Sequence, residues 1–313
     1  MATTTAPAVR PGRRQRVRLS GLRRREAVWC YVFMAPAVIG VLVFAIGPMI
    51  ASLWLSFTDY DMLSSPEWIG TKNYVKLVGD KLFQKSLSVT MLYAVVVVPG
   101  TILAGLVVAI LLNAKIPAMG FFRSAYYLPS VIGGVAVARV WAMLYNTDHG
   151  LFNLILGLFG IDGPGWLTDE GWAIWSLIFM GIWGFGGTML IYLAGLQGIP
   201  KDLYEAAEVD GTSKFRQHLY ITVPMLSGVT FFNLVMGIIG ALQVFAEPFV
   251  LTQGKPNNST LLVPLYLYRV AFDYLEMGYA SAIAWVVFAI TLVLTALVFR
   301  SLPLWVHTEA GDN

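Results

Sequence analysis

A chain of 313 residues that is 57% hydrophobic and only 12% charged, with a mean hydropathy of +0.69, reads as a polytopic membrane protein and excludes a water-soluble globular domain. The net charge of +3 is concentrated in a basic N-terminal tail, and the single cysteine, Cys30, excludes an internal disulfide and any cysteine-based metal or redox motif. Cys30 is expected to be an apolar packing residue.

Residues 1–26 hold eight arginines, Arg10, Arg13, Arg14, Arg16, Arg18, Arg23, Arg24 and Arg25, with no apolar core before or between them. This tail is not a cleavable signal in itself, and its charge holds the N-terminus on the cytoplasmic side, in contact with lipid and not with nucleic acid. Six apolar runs follow, at about 28–56, 86–112, 121–145, 172–196, 223–251 and 279–301, each long enough to cross a bilayer as a helix of ~20 residues. The expected fold is all-α, with six transmembrane helices and both termini inside. Lysine and arginine counts agree, fourteen inside against six outside. The chain divides into the basic tail 1–26, a membrane domain 27–306, and a cytoplasmic tail 307–313.

The outer loops carry their own signals. Residues 57–85 mix charges with Trp68, Tyr74 and Phe83, as an interfacial helix would. Residues 146–170 lack lysine and arginine and place Asp148, Asp162, Asp169 and Glu170 on an acidic face, with a Gly163-Pro164-Gly165 turn and interfacial Trp166 and Trp172. The sequons at Asn257 and Asn258 read as turn chemistry.

Between runs four and five lies a charged segment, residues 199–224, that must sit in water against something. Pro200 suits the first position of a helix over Lys201–Val209, Gly211 stops it, and Thr212 or Ser213 caps a second helix from about Lys214 to Tyr220. Leu203, Ala206, Ala207 and Asp210 share one face, while Glu205 and Glu208 project elsewhere. A DNA-binding helix-turn-helix shares this outline, but membrane spans flank the segment and basic residues are too few for phosphate binding.

Here the sequence resembles the membrane-spanning permease subunits of ATP-binding-cassette (ABC) importers. Their cytoplasmic loop carries Glu-Ala-Ala, three residues, Gly, nine residues, Ile, one residue, Leu-Pro; Glu205, Ala206, Ala207, Gly211, Ile221 and Pro224 stand at those spacings, with Val223 in place of leucine. The segment Leu251-Thr252-Gln253-Gly254-Lys255-Pro256, together with Tyr266, Phe272 and the stretches 123–129 and 278–282, resembles the carbohydrate subfamily, although Gln253 and Lys255 replace glycines. The resemblance implies a coupling loop, Glu205, Ala206, Ala207, Asp210, Gly211, Ile221 and Pro224, that docks on an ATPase subunit. It also implies a second homologous permease, two ATP-binding cassette subunits that bind the ATP and Mg, an extracytoplasmic solute-binding protein, and a sugar cargo. No cofactor is expected in this chain.

Small and polar residues stripe the inner spans. Asn233, Gly237, Gly240, Val244 and Glu247 share a face of run five, with Gln243 beside it; Ser130, Gly134, Val137 and Trp141 share one in run three, just past a break at Leu128-Pro129; run four offers Trp183, Gly184 and Gly187. By resemblance, the sugar path runs past Ser130, Gly134, Trp183, Gly187, Gly240, Ala241 and Val244. Helix packing through small residues is the competing reading. Arg139 and Glu247, at similar depth, are expected to face each other or a shared aqueous cavity.

No phosphate loop, no H-E-x-x-H and no Ser/His/Asp arrangement is present, and His149, His218 and His307 are far apart. The chain therefore reads as a transport subunit driven by another protein. Permeases for glycerol phosphate, polyamines or amino acids, a self-sufficient secondary transporter and a polytopic enzyme are the alternatives.

Overall fold

The computed structural model describes residues 21–114 and 118–305, so Arg10, Arg13, Arg14, Arg16, Arg18, Lys115 and the tail 307–313 with His307 lie outside the described residues. The chain divides into two compact units between Ser52 and Leu53. In the first, α1 (Gly21–Val41) passes through a π-turn (Leu42–Ile46) into α2 (Gly47–Leu55), and Arg23–Leu55 is long and apolar enough to span a bilayer. Cys30 is exposed on α1, its thiol 3.7 Å from the Met34 sulfur, and so is not the packing residue expected.

The second unit opens with a hairpin, β1 (Thr58–Asp59) antiparallel to β2 (Glu67–Trp68), followed by α3 (Lys72–Gly79) and α4 (Lys81–Leu112). The interfacial helix expected over 57–85 is therefore confined to α3. Asp80 is the reason. Its carboxylate accepts from the amides of Leu82 and Phe83 at 2.8 and 3.2 Å, which caps α4 and starts that helix before the apolar run begins.

Run three is not one helix. α5 (Met119–Val131) and α6 (Gly134–Leu144) meet at 100°. Pro129 is accommodated inside α5, and the break falls instead at Ile132 and Gly133, both extended, where two successive glycines weaken the helix. This corrects both the break expected at Leu128-Pro129 and the single stripe from Ser130 to Trp141.

After α7 (Leu151–Leu158), a helix inside the acidic outer loop 146–170, α8 (Glu170–Trp183) and α9 (Gly186–Gln197) together make the fourth run. α10 (Lys201–Val209), α11 (Lys214–Gln217), a π-turn (His218–Thr222) and α12 (Val223–Met225) form the 199–224 segment. α13 (Ser227–Ala241) and α14 (Ala246–Leu251) make the fifth run, α15 (Val263–Tyr268) lies in the last outer loop, and α16 (Met277–Trp305) is the final span.

α4 is the spine of the second unit and packs against α8, α9 and α13. Its core contacts run along its whole length: Phe83 with Tyr266 and Ile283 at one end, Val97 and Val98 with Leu177 and Ile178 in the middle, Ala109 and Leu112 with Met189, Tyr192 and Leu226 at the other. Lipid is as apolar as these side chains, so the helices associate through close packing. Gly105 sets that distance, since a Cβ there would lie 2.8 Å from the Thr188 side chain and 3.1 Å from the Met189 amide nitrogen.

Candidate coupling loop and substrate path

Helix α10 ends in a pair of backbone bonds that depend on Gly211. The Thr212 amide donates to the Ala207 carbonyl at 2.9 Å and the Gly211 amide to Glu208 at 3.0 Å, which requires the left-handed φ of +69° at Gly211. This Schellman turn fixes the angle between α10 and α11. Pro200 is the residue before the helix and not its first turn, and Ser213 occupies the next N-terminal cap position without a side-chain bond.

The loop is braced internally by residues the sequence reading missed. The Tyr204 hydroxyl pairs with Thr222 Oγ1 at 2.8 Å, His218 Nδ1 lies 3.1 Å from the same oxygen, and buried Gln217 donates to the Thr212 carbonyl at 3.1 Å. A tyrosine beside the Glu-Ala-Ala and a threonine eighteen residues on were the available signal. Ile221 packs with the inner core and Ala207 is half-buried, whereas Glu205, Ala206, Asp210 and Gly211 face outward. Apolar side chains flank the turn in the open: Val209 is 88% exposed and Phe215 76%. An ion pair, Lys214 to Glu208, braces the two short helices across the turn.

The path residues separate into three groups. Trp183 lines a cleft of about 360 Å³ with Phe121, Phe122, Tyr126, Pro129 and Phe185, between α5 and the α8–α9 join; the last aromatic and the three on α5 were not singled out from sequence. Ser130, exposed beside this cleft, donates to the Tyr127 carbonyl, Gly184 caps α8, and Gly187 opens onto free space. Gly134 lies against the Glu247 carboxylate, so α6 and α14 meet there, and Gly240 again faces open space. Asn233, Ala241 and Val244, in contrast, pack into the protein.

Asn233 is buried and bonds the Val229 carbonyl, and Ala241 is 5% exposed within the middle core, so neither lines an open path, contrary to expectation. Val244 packs against the same core, and Gln243 faces a separate apolar cavity of about 630 Å³ against α16. The run-five face is interrupted because α13 ends at Ala241, and α14 starts anew at Ala246. Arg139 and Glu247 form no ion pair; the ion pairs among the described residues are Lys76–Glu276 and Lys214–Glu208.

At the other end of the helices, Asp80 also accepts from the hydroxyls of Tyr266 and Tyr279, the latter at 2.6 Å, and Lys76 lies over the Tyr279 ring. Burial pulls the Asp80 carboxyl up, but these bonds outweigh it and hold the group below the usual carboxylate range. In the nearby turn, Asn257 and Asn258 adopt the left-handed conformation, with φ of 44° and 56°, as turn chemistry requires.

Residues 101–304 match the family described as "Binding-protein-dependent transport system inner membrane component". The chain is 41% identical over 295 residues to a probable ABC transporter permease protein, YesP, of Bacillus subtilis, covering 93% of this chain and 95% of that one. It is 34% identical to the trehalose/maltose transport system permease protein MalF of Thermococcus litoralis and 36% to the lactose transport system permease protein LacF of Rhizobium radiobacter, over 90% of this chain and 96% of each relative. Among solved structures, a bacterial ABC transporter involved in import of the acidic polysaccharide alginate shares the fold, with a TM-score of 0.77 and 24% identity over 88% of this chain and 95% of that chain. The spans and these matches agree, and the chain belongs to the inner-membrane permease subunits of ABC importers.

Proposed function

We propose that this permease carries a sugar or oligosaccharide, paired with a second homologous permease, fed by an extracytoplasmic solute-binding protein and driven by two ATPase subunits that hold the ATP and Mg. The observation that carries the coupling is the exposed, stiff turn at Gly211, whose flanking Val209 and Phe215 suit insertion into a protein cleft. ATPase closure would push α10 and α11 together as one body and switch the path between outward- and inward-facing states. The sugar reading is supported by the aromatic cleft at Trp183, since aromatic faces stack on the apolar faces of sugar rings, and by relatives named for trehalose, maltose and lactose transport.

The test is co-purification of ATPase subunits together with uptake into membrane vesicles. Glu205→Lys should lose ATPase attachment through charge reversal, whereas Gly211→Val should keep attachment and lose transport, because a β-branched residue opposes the left-handed turn. If both variants bind ATPase and transport normally, the turn is not the coupling element. Competition of uptake by a panel of saccharides, glycerol phosphate, polyamines and amino acids decides the cargo, and inhibition only by a non-saccharide would overturn the sugar reading.

A further inference from the structure

Beside the end of α8 that begins at Glu170 lies a crevice of about 500 Å³, walled by Phe152 of α7, Trp166, and Trp172, Trp175, Phe179 and Ile182 of α8. So many aromatic rings suggest a second saccharide platform, but the hydrogen bonding argues otherwise. The Tyr145 hydroxyl donates to the Ser176 carbonyl at 2.9 Å, the Ser176 hydroxyl to the Trp166 carbonyl at 2.8 Å, and the Trp166 indole to Asn153 Oδ1 at 2.6 Å. Sugar hydroxyls entering this wall would give up water for groups already engaged, at a cost of roughly 1–3 kcal/mol each. Hydrocarbon would lose nothing. The indoles of Trp172 and Trp175 are exposed near the mouth and donate no hydrogen bond among the described residues.

The depth of the crevice points the same way. From Trp172 to Ile182 α8 rises about 15 Å, half of the ~30 Å hydrocarbon core and so one leaflet. α7, which gives Phe152 to the crevice wall, carries no charge, and its Leu151, Leu154, Ile155 and Leu158, at helical spacing of three and four, are all exposed. Its place in the chain, between the outer ends of α6 and α8, sets it at the bilayer surface. No lysine or arginine is among the residues that wall the crevice, so the wall itself offers no cation to an anionic headgroup.

We propose that α7 lies in the outer membrane interface and that the crevice beneath it holds one acyl chain of an electroneutral glycerophospholipid, whose ester oxygens accept from the Trp172 and Trp175 indoles. This site is independent of the solute carried. Its role is to fix the outer ends of α6 and α8 against lipid.

The full-length protein, reconstituted in phosphatidylcholine nanodiscs containing phosphatidylcholine with a diazirine on one acyl chain, would be irradiated and its labelled peptides mapped by mass spectrometry. Label is expected on Phe152, Phe179 and Ile182 as well as on exposed Leu292 and Leu297 of α16. Ile182→Trp fills the deep end; excluding about two methylenes should lower the label on Phe152 and Phe179 about tenfold while leaving α16 labelled, which also shows that the variant is folded. The double variant Trp172→Phe, Trp175→Phe retains the rings but removes both donors, and should lower crevice label about fivefold or more. An unlabelled crevice beside a labelled α16, or crevice label unchanged in both variants, would overturn the proposal. So would loss of crevice label in membranes containing the assembled importer, which would make a partner subunit the occupant, or displacement of the label by saccharide.

Discussion

Asp80 joins two parts of the chain that lie almost 200 residues apart in sequence, since it caps α4 and accepts from Tyr266 and Tyr279. Its carboxyl titrates below the ordinary 3.8 in the folded protein, so its stabilising contribution is complete above that value and is lost as pH falls through the lower folded value. Asp80→Asn keeps one acceptor oxygen but loses the charge, and should cost roughly 1.5–3 kcal/mol for each charge-assisted bond lost. Thermal unfolding of the detergent-solubilised protein should show a lower midpoint for the variant at pH 7 and a shallower decline on acidification through pH 4 and below. A decline as steep as that of the parent protein would mean that Asp80 is not a titrating brace. The cap was not read from the sequence, because an interfacial helix expected over 57–85 ran through Asp80. Nor were the tyrosines, since nothing local distinguishes Tyr266 and Tyr279 from any other interfacial aromatic.

At the scale of elements, the spans were legible because hydropathy reports length and composition, whereas the interruptions inside them were not. Ile132 and Gly133 turn the chain by 100° with apolar Val131 and Val135 on either side, and α13 stops at Ala241 with Leu242 still buried in the core. A face drawn through either break joins residues that point in different directions. Gly240 and Ala241 make the distinction testable. A Cβ on Gly240 meets nothing within 4 Å, so Gly240→Trp should leave assembly with the ATPase intact and reduce uptake if the open space belongs to the path. Ala241 is enclosed by the middle core, and Ala241→Trp should lower the yield of folded protein instead, since overpacking a core costs typically 1–3 kcal/mol and a ring in place of a methyl lies at the upper end. Fluorescence-detected size exclusion and vesicle uptake, measured together, separate the two effects. Full uptake by assembled Gly240→Trp would remove Gly240 from the path.

For the whole molecule, the contacts between loops establish which ends of the spans lie together. Lys76 of α3 pairs with Glu276 just before α16, and Asn257 donates to Glu170 at the start of α8 at 3.3 Å, so the loops after the first, third and fifth runs meet at one end. That is possible only if the bent pair α5 and α6 counts as one crossing. The charge bias gives the expected direction: by the positive-inside rule the arginine-rich tail and the α10–α11 loop would lie on the cytoplasmic side and the Lys76–Glu276 end outside. We therefore expect a membrane-impermeant maleimide applied to intact cells to label Leu63→Cys, in the exposed bend of the β hairpin, and to leave Val209→Cys unlabelled, each in a Cys30→Ser background because Cys30 is exposed on α1. In inside-out vesicles the pattern should reverse. Co-expression of the ATPase subunits should then protect Val209→Cys and leave a cysteine at exposed Leu63 unaffected, because Val209 stands beside the Gly211 turn that would enter the ATPase cleft. Labelling of Val209→Cys from outside the cell would invert the topology and place the Gly211 turn where no ATPase could reach it.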